Sequence, residues 1–547
     1  MIRPLTVCLV AGLLPVLCAV SEAAEPPVRG FYWGVDNAGG PFNLHQLPWT
    51  EELLDEFQFD LWVQHYWPKK KIGANRAYIR AIDAWCAARD IHWATNLEHA
   101  NWVQHFAGEH GNDWFRREDG RHFFLFPEAL LEELGAAERL LGLMYDEAEH
   151  MQICANMVSK ANRPFMYDPA GHALAGAADA FAEAASAVAR RHRRHGVRLY
   201  TEHVFPVLFH GFARAGFTAG AKLLKEGWSP VHTACAMGAA LQYDTPLWLT
   251  PDLWGLSNYP GHTVEEYRSA LLFAYHMGAG CIYTENLAYK GAGENEGTCS
   301  LICVEGGRFT VTPYGEVAKW FINEYVPAHP RGYTFRDVRP RAAIVRQPDT
   351  CWGQGGTWYP DTLFGHPDWK PDETTRAWIR LWHLLTRGAV PVESLSWFGR
   401  GYEGKPLQFA CPVDGIAVYD HHVGYGRLKG LEAIFLTGIG ISAETRDAVA
   451  RCVREGALCA ALPHLLPEAV REKMGEKNTL QDGGGTWIRA AGFLEAHVRK
   501  AVRPLLPAPG RIRYRFGDAV VEFLLDLDDP HKTIREVRVN GDAAYAR

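Results

Sequence analysis

The sequence has no CxxC pair, no HxH or HExxH spacing, no long basic run, no internal repeat and no low-complexity segment. The missing CxxC pair removes the usual zinc-knuckle signature. The missing basic run, with a net charge of -7, argues against a nucleic-acid partner. No apolar run after the N-terminus is long enough to cross a membrane, so no integral membrane segment is expected. Disorder is not expected either, because 48% of residues are hydrophobic and 22% charged, enough to bury a large core.

The N-terminus, MIRPLTVCLVAGLLPVLCAVSEAAEPP, has Arg3, then an apolar run from Leu5 to Val20, then small residues around Ala23. It reads as a signal peptide over residues 1–23, and the expected location is secreted or periplasmic. Leu17 precedes Cys18 where a lipid-anchor site takes a small residue, so no anchor is expected. Of 12 Cys, Cys8 and Cys18 leave with that leader; export permits disulfides among the rest, but spacing does not give their pairing.

Length, 547 residues, implies several domains. From residue 31 to 288 short apolar strands alternate with helical segments. The strands read as 31–35, 59–65, 91–96, 139–145, 197–201, 221–225, 246–250 and 281–284. The segment TVEEYRSALLFAYHMG (263–278) places Tyr267, Ala270, Leu271, Ala274 and Tyr275 at helical spacing. Eight such units predict an α/β fold, a (β/α)8 TIM barrel over residues 24–330, close to the usual size of about 250 residues. Residues 331–475 alternate again and predict a smaller doubly wound α/β domain, with Ser442 as a helix N-cap. Residues 476–547 show period-two patterning and predict a C-terminal β-rich unit.

In such a barrel the strand C-termini meet at one face, where active sites are built. Strand by strand, the residues delivered there are Asp36 and Asn37; His65; Asn96, Glu98 and His99; Asp146, Glu147, Glu149 and His150; Glu202 and His203; Glu226 and Trp228; Asp252 and Trp254; Glu285 and Asn286. Such loops favour acids as caps and solvated turns, and any single acid here fits that role equally well. As a set, with 19 Trp in the chain, they suit hydrolysis of a glycosidic bond. One carboxylic acid would protonate the leaving oxygen, and a second carboxylate would attack the anomeric carbon or activate water. Crowding would raise the pKa of one of them. The expected catalytic set is Glu147, as acid/base, with Asp146, Glu226 and Glu285; Asp252 is the next acid in line. Asp36, His65, Glu202, His203, Trp228, Asp252, Trp254 and Asn286 are expected to bind a carbohydrate substrate. No cofactor and no metal are expected.

Two alternatives stay open. Glu98–His99, Glu149–His150 and Glu202–His203 follow three successive strands and could hold a divalent ion, as in a metal-dependent sugar isomerase or hydrolase. A Trp-lined barrel could also be a non-catalytic carbohydrate-binding protein, although binding alone does not call for so many carboxylates.

The order of a barrel, an α/β domain carrying EAIFLTGIGISAETRDAVARCVREGALCAAL and a small β tail resembles the beta-galactosidase type of glycoside hydrolase, with its amidotransferase-like second domain. The resemblance implies a strand-four acid at Glu147, although that family carries Asn-Glu where this chain has Asp146-Glu147. It implies a Glu after strand seven, where this chain offers Asp252. No nucleophilic Cys sits at a strand-to-helix elbow of the second domain, and Cys452 falls within its helix. That leaves oligomerisation, as a homo-oligomer, or closing of the pocket as its role. The aromatic loop CWGQGGTWYPDTLFGHPDW (351–369) is placed to reach across to the barrel.

Overall fold

The computed structural model describes residues 29–37, 46–65, 72–97, 115–118, 121–124, 126–154, 164–253, 262–288, 299–356, 359–401 and 407–547. The expected signal peptide, Glu98, His99 and Trp254 lie outside the described residues.

Eight parallel strands close into a barrel: β1 (Tyr32–Asp36), β2 (Leu61–His65), β3 (His92–Asn96), β4 (Leu140–Asp146), β5 (Leu199–His203), β6 (Thr218–Leu223), β7 (Trp248–Pro251) and β8 (Cys281–Thr284). Each pairs with its sequence neighbours, and β1 closes on β8 with Trp33 opposite Ile282. The expected fold class is therefore the observed one. β6 starts and ends earlier than the expected 221–225, and β5 starts and ends two residues later than the expected 197–201.

Helices wrap the barrel where amphipathic spacing predicts them: α1 (Thr50–Phe57), α2 (Ile72–Ala87), α3 (Glu128–Gly135), α4 (Ala148–Ile153), α5 (Leu174–Arg193), α6 (Phe209–Arg214), α7 (Ser229–Tyr243) and α8 (Val264–His276). The start of α8 is fixed by a capping box. The Glu266 backbone N–H donates to Thr263 Oγ1 at 3.1 Å, and the Thr263 N–H donates to Glu266 Oε2 at 2.7 Å. Its apolar stripe of Tyr267, Ala270, Leu271, Ala274 and Tyr275 is buried against the barrel.

Strand alternation sends every second side chain inside the barrel. Tyr32, Leu61, Val63, Ala94, Leu141, Met144, Tyr200, Trp248, Cys281 and Tyr283 form a core of their own there. This plug closes the barrel below its C-terminal mouth.

The second sheet holds β9 (Ala342–Arg346), β10 (Ile416–Asp420), β11 (Ala433–Thr437), β12 (Leu458–Ala461), β13 (Thr479–Asp482) and β14 (Gly485–Arg489), in the order β10-β9-β11-β12-β14-β13. All pair in parallel except β13 with β14. The expected boundary at residue 475 therefore cuts this sheet, because β13 and β14 return to it from beyond that point. As expected, Ser442 caps the helix Ala443–Arg454, its Oγ accepting from the Thr445 N–H at 3.0 Å. The C-terminal β unit comprises Val413–Asp414 and the strands Arg511–Phe516, Ala519–Leu525, Ile534–Val539 and Asp542–Ala546.

The second sheet packs directly on the barrel. Helix α7 approaches β10 so closely that a Cβ at Gly238 would lie 1.7 Å from the Val418 carbonyl oxygen. Only glycine fits there. No helix among the described residues is long and apolar enough to cross a membrane.

Candidate active site at the barrel mouth

One more step of the inward alternation beyond the apolar plug gives a polar ring. Gly34 leads to Asp36, Val63 to His65, Ala94 to Asn96, Met144 to Asp146, Tyr200 to Glu202, Gly220 to Lys222, Thr250 to Asp252 and Tyr283 to Glu285. All eight are almost completely buried. Five carboxyl groups and one ammonium therefore share a floor that water scarcely reaches.

Lys222 is the residue that the strand pattern did not reveal, and it organises the ring. Its Nζ lies 2.8 Å from Glu285 Oε2, 3.4 Å from Asp146 Oδ1, 3.6 Å from Asp252 Oδ2, 3.6 Å from Glu147 Oε1 and 4.0 Å from Glu202 Oε2. Burial alone would strip its proton, but Asp146, Glu285, Glu202 and Asp252 outweigh burial and hold its pKa well above the ordinary lysine value. Lys222 is thus an ammonium and not an amine nucleophile. Lys225, 3.0 Å from Asp252, is the second cation. On the opposite side His65 Nε2 lies 2.9 Å from Asp36 Oδ2.

Two of the ring's carboxyl groups are displaced upward. Burial pushes Glu202 up to about 8 despite Lys222. Burial and then Asp252 push Glu285 well above the carboxylate range.

Two further acids follow the ring residues of β4 and β6. Glu147 follows β4 with a left-handed backbone, φ 47°, uncommon for a side chain this long. That turn lifts its carboxylate from the ring, leaving it 18% exposed, with Oε2 3.0 Å from His150 Nδ1. Burial would raise its pKa, but Lys222 and then His150 outweigh it and hold it well below the usual range. Glu226 follows β6 and is 8% exposed. Its Oε2 has no hydrogen-bond partner among the described residues. Burial, with help from the Glu147 charge, pushes it up to about 8 against the pull of Lys225. Of the expected catalytic acids, then, Glu147 is part exposed, Glu226 is nearly buried, and Asp146 and Glu285 are buried against Lys222.

The other expected site residues divide. Asp36, His65, Glu202 and Asp252 belong to the ring, and Asn286 is buried beside Glu285. His203 is a correction: it neighbours the inward Glu202 and so faces outward. It stacks on Phe209 at 4.1 Å, with Nδ1 3.0 Å from the Val207 carbonyl oxygen. Trp228 is also fully buried, heading α7. The two Glu-His pairs among the described residues, Glu149–His150 and Glu202–His203, do not act as units. Glu149 accepts backbone N–H groups of Val204 at 2.7 Å and Phe205 at 3.2 Å, while His150 turns to Glu147. Asp36, His65 and Glu285 do bring donor atoms within 4.8 Å of one another. The Lys222 ammonium, 2.8 Å from Glu285, already supplies a cation at that point.

The aromatic wall comes from the second domain, as the 351–369 loop suggested. Trp352 stacks on Phe205 at 4.5 Å. Tyr359 meets His150 at 5.4 Å, Phe205 at 5.0 Å and Phe398 at 5.9 Å. Burial, then the charges of Glu226, Cys154 and Glu147, push the Tyr359 hydroxyl well above its ordinary pKa. The same domain grips the Glu226 loop: the Trp397 N–H donates to the Glu226 carbonyl at 2.9 Å, and Gly227 bridges to Ser396.

No family model matches the sequence, and no curated protein matches it. Solved structures do. A beta-galactosidase from the psychrophilic Marinomonas ef1 matches with TM-score 0.55 and 10% identity, over 90% of this chain and 95% of that one. A polyextremophilic beta-galactosidase from the Antarctic haloarchaeon Halorubrum lacusprofundi gives the same score and identity, over 94% and 98%. Along nearly its whole length, then, this chain shares the fold of those two enzymes: a TIM barrel followed by further sheet-containing domains.

Proposed function

We propose that the protein is a glycoside hydrolase, with Glu226 as the acid that protonates the leaving oxygen and Glu147 as the carboxylate that attacks the anomeric carbon or activates water. One observation carries this reading. Glu147 and Glu226 lie close enough to act on each other and are displaced in opposite directions, Glu147 held low by Lys222 and His150 and Glu226 pushed high by burial. That division of labour is what glycosidic cleavage requires. It reverses the role expected of Glu147 from sequence, because the cation that sets its charge is Lys222.

Tyr359 and Phe398, both partly exposed and backed by the buried Phe205–Trp352 stack, supply the apolar edges for a sugar ring. The fold shared with two beta-galactosidases supports starting with β-galactosides, and the leader supports secretion. The test is release of nitrophenol from a panel of nitrophenyl glycosides, beginning with the β-galactoside, and of sugar from polysaccharides, with and without a chelator. Turnover that survives chelation and disappears in Glu147→Gln and Glu226→Gln is expected. Binding without turnover across the panel would favour the carbohydrate-binding alternative and overturn the proposal.

A further inference from the structure

A separate cluster lies away from the mouth, on the seam between α5 and the end of β10. The turn after β10 carries His421 and His422, and both imidazoles reach the same oxygen of Asp179 on α5. His422 Nε2 is 2.8 Å from Asp179 Oδ1 and His421 Nε2 is 3.4 Å from it. The three donor atoms lie within 4.8 Å of one another. A tetrahedral zinc ion with bonds of 2.0–2.2 Å sets its ligand atoms about 3.3 Å apart. The observed separations bracket that spacing.

His421 supplies the independent signal. Its side chain is 7% exposed, and neither ring nitrogen has a hydrogen-bond partner among the described residues. Burying an imidazole with both nitrogens unsatisfied costs free energy. Two nitrogens and one carboxylate oxygen suit zinc better than magnesium or calcium. One group opposes a cation here: the Arg214 guanidinium also bonds Asp179 Oδ1. Arg214 is held as a cation by Asp420 as well, which gives it a second anion to turn to.

We propose that Asp179, His421 and His422 bind a zinc ion that joins barrel helix α5 to the second domain, with water completing the coordination. This site is independent of the catalytic reading. The experiment strips the full-length protein with a chelator, dialyses it, and titrates with zinc chloride, following bound metal by equilibrium dialysis and unfolding by thermal melt. One zinc ion per chain and a raised melting temperature are expected. His422→Gln, at an exposed position that the fold tolerates, and His421→Gln should each weaken binding by at least about 10-fold. Arg214→Gln, which removes the competing cation, should bind more tightly than the wild type. Absence of stoichiometric binding, or binding undiminished in both histidine variants, would overturn the proposal, the latter by placing the ion on a thiol or in the barrel mouth. Weaker binding by Arg214→Gln would count against it too, since the guanidinium would then be a member of the cluster and not its rival.

Discussion

Parallel strands end in charge at two places in this molecule, the barrel mouth and the second sheet. In the second sheet each charge has its own partners. Arg346, ending β9, pairs with Asp349 and lies over Trp378 at 3.7 Å. Asp420, ending β10, accepts from Gln242 Nε2, from the Tyr243 hydroxyl and from the His422 N–H. Through Gln242 and Tyr243, Asp420 fastens the sheet to α7. In the barrel mouth five carboxylates crowd around Lys222, and Glu226 Oε2 has no partner among the described residues. The comparison separates charge that secures a seam from charge kept short of partners, and the second kind shifts pKa values toward chemistry.

Three sets of substitutions sharpen the contrast. The largest effect belongs to Glu147→Gln and Glu226→Gln, each expected to lower kcat/KM by about 10²–10⁴-fold on the best glycoside of the panel. Both variants should remain folded at pH 7, so a variant that unfolds or one that keeps full turnover would break the contrast. Next comes Lys222→Met, which leaves buried carboxylates without their shared cation. Urea unfolding at pH 7 should show a loss of about 3–5 kcal/mol. Asp420→Asn, at the seam, should cost less, about 1–3 kcal/mol, and leave kcat unchanged. If Lys222→Met proved the milder of the two, the mouth would not depend on its central ammonium.

The smallest effect is the pH dependence. Glu226 should be protonated to act, so kcat/KM should fall as pH rises through about 8. The same raised pKa makes the wild type lose stability between the unfolded carboxyl value, about 4.3, and 8, because the folded group keeps a proton that the unfolded chain releases. Glu226→Gln should therefore gain melting temperature relative to the wild type at pH 8 but not at pH 4. Equal gains at both values would mean that Glu226 titrates normally.

Most of the ring was legible in the sequence because a strand announces itself by alternation and its end by the first polar residues. Asp36, His65, Asp146, Glu202, Asp252 and Glu285 were found that way. Lys222 was not. The apolar pair Leu223–Leu224 drew the expected strand to 221–225, so the lysine read as part of the run and not as its inward end. Counting two residues on from Gly220 would have found it. The same rule would have excluded His203, the neighbour of an inward residue. The protonation states of Glu147 and Glu226 were beyond reach, since they depend on Lys222 and on burial. The Tyr359–His150 contact joins positions some 200 residues apart, which no local pattern specifies.

The hold of Trp397 on the Glu226 carbonyl has a practical corollary for anyone trimming the chain. A barrel expressed without the residues beyond 330 would keep all eight staves yet lose the brace on the Glu226 loop, along with the Trp352–Tyr359 contact. If the proposed hydrolysis is right, the portable unit is the pair.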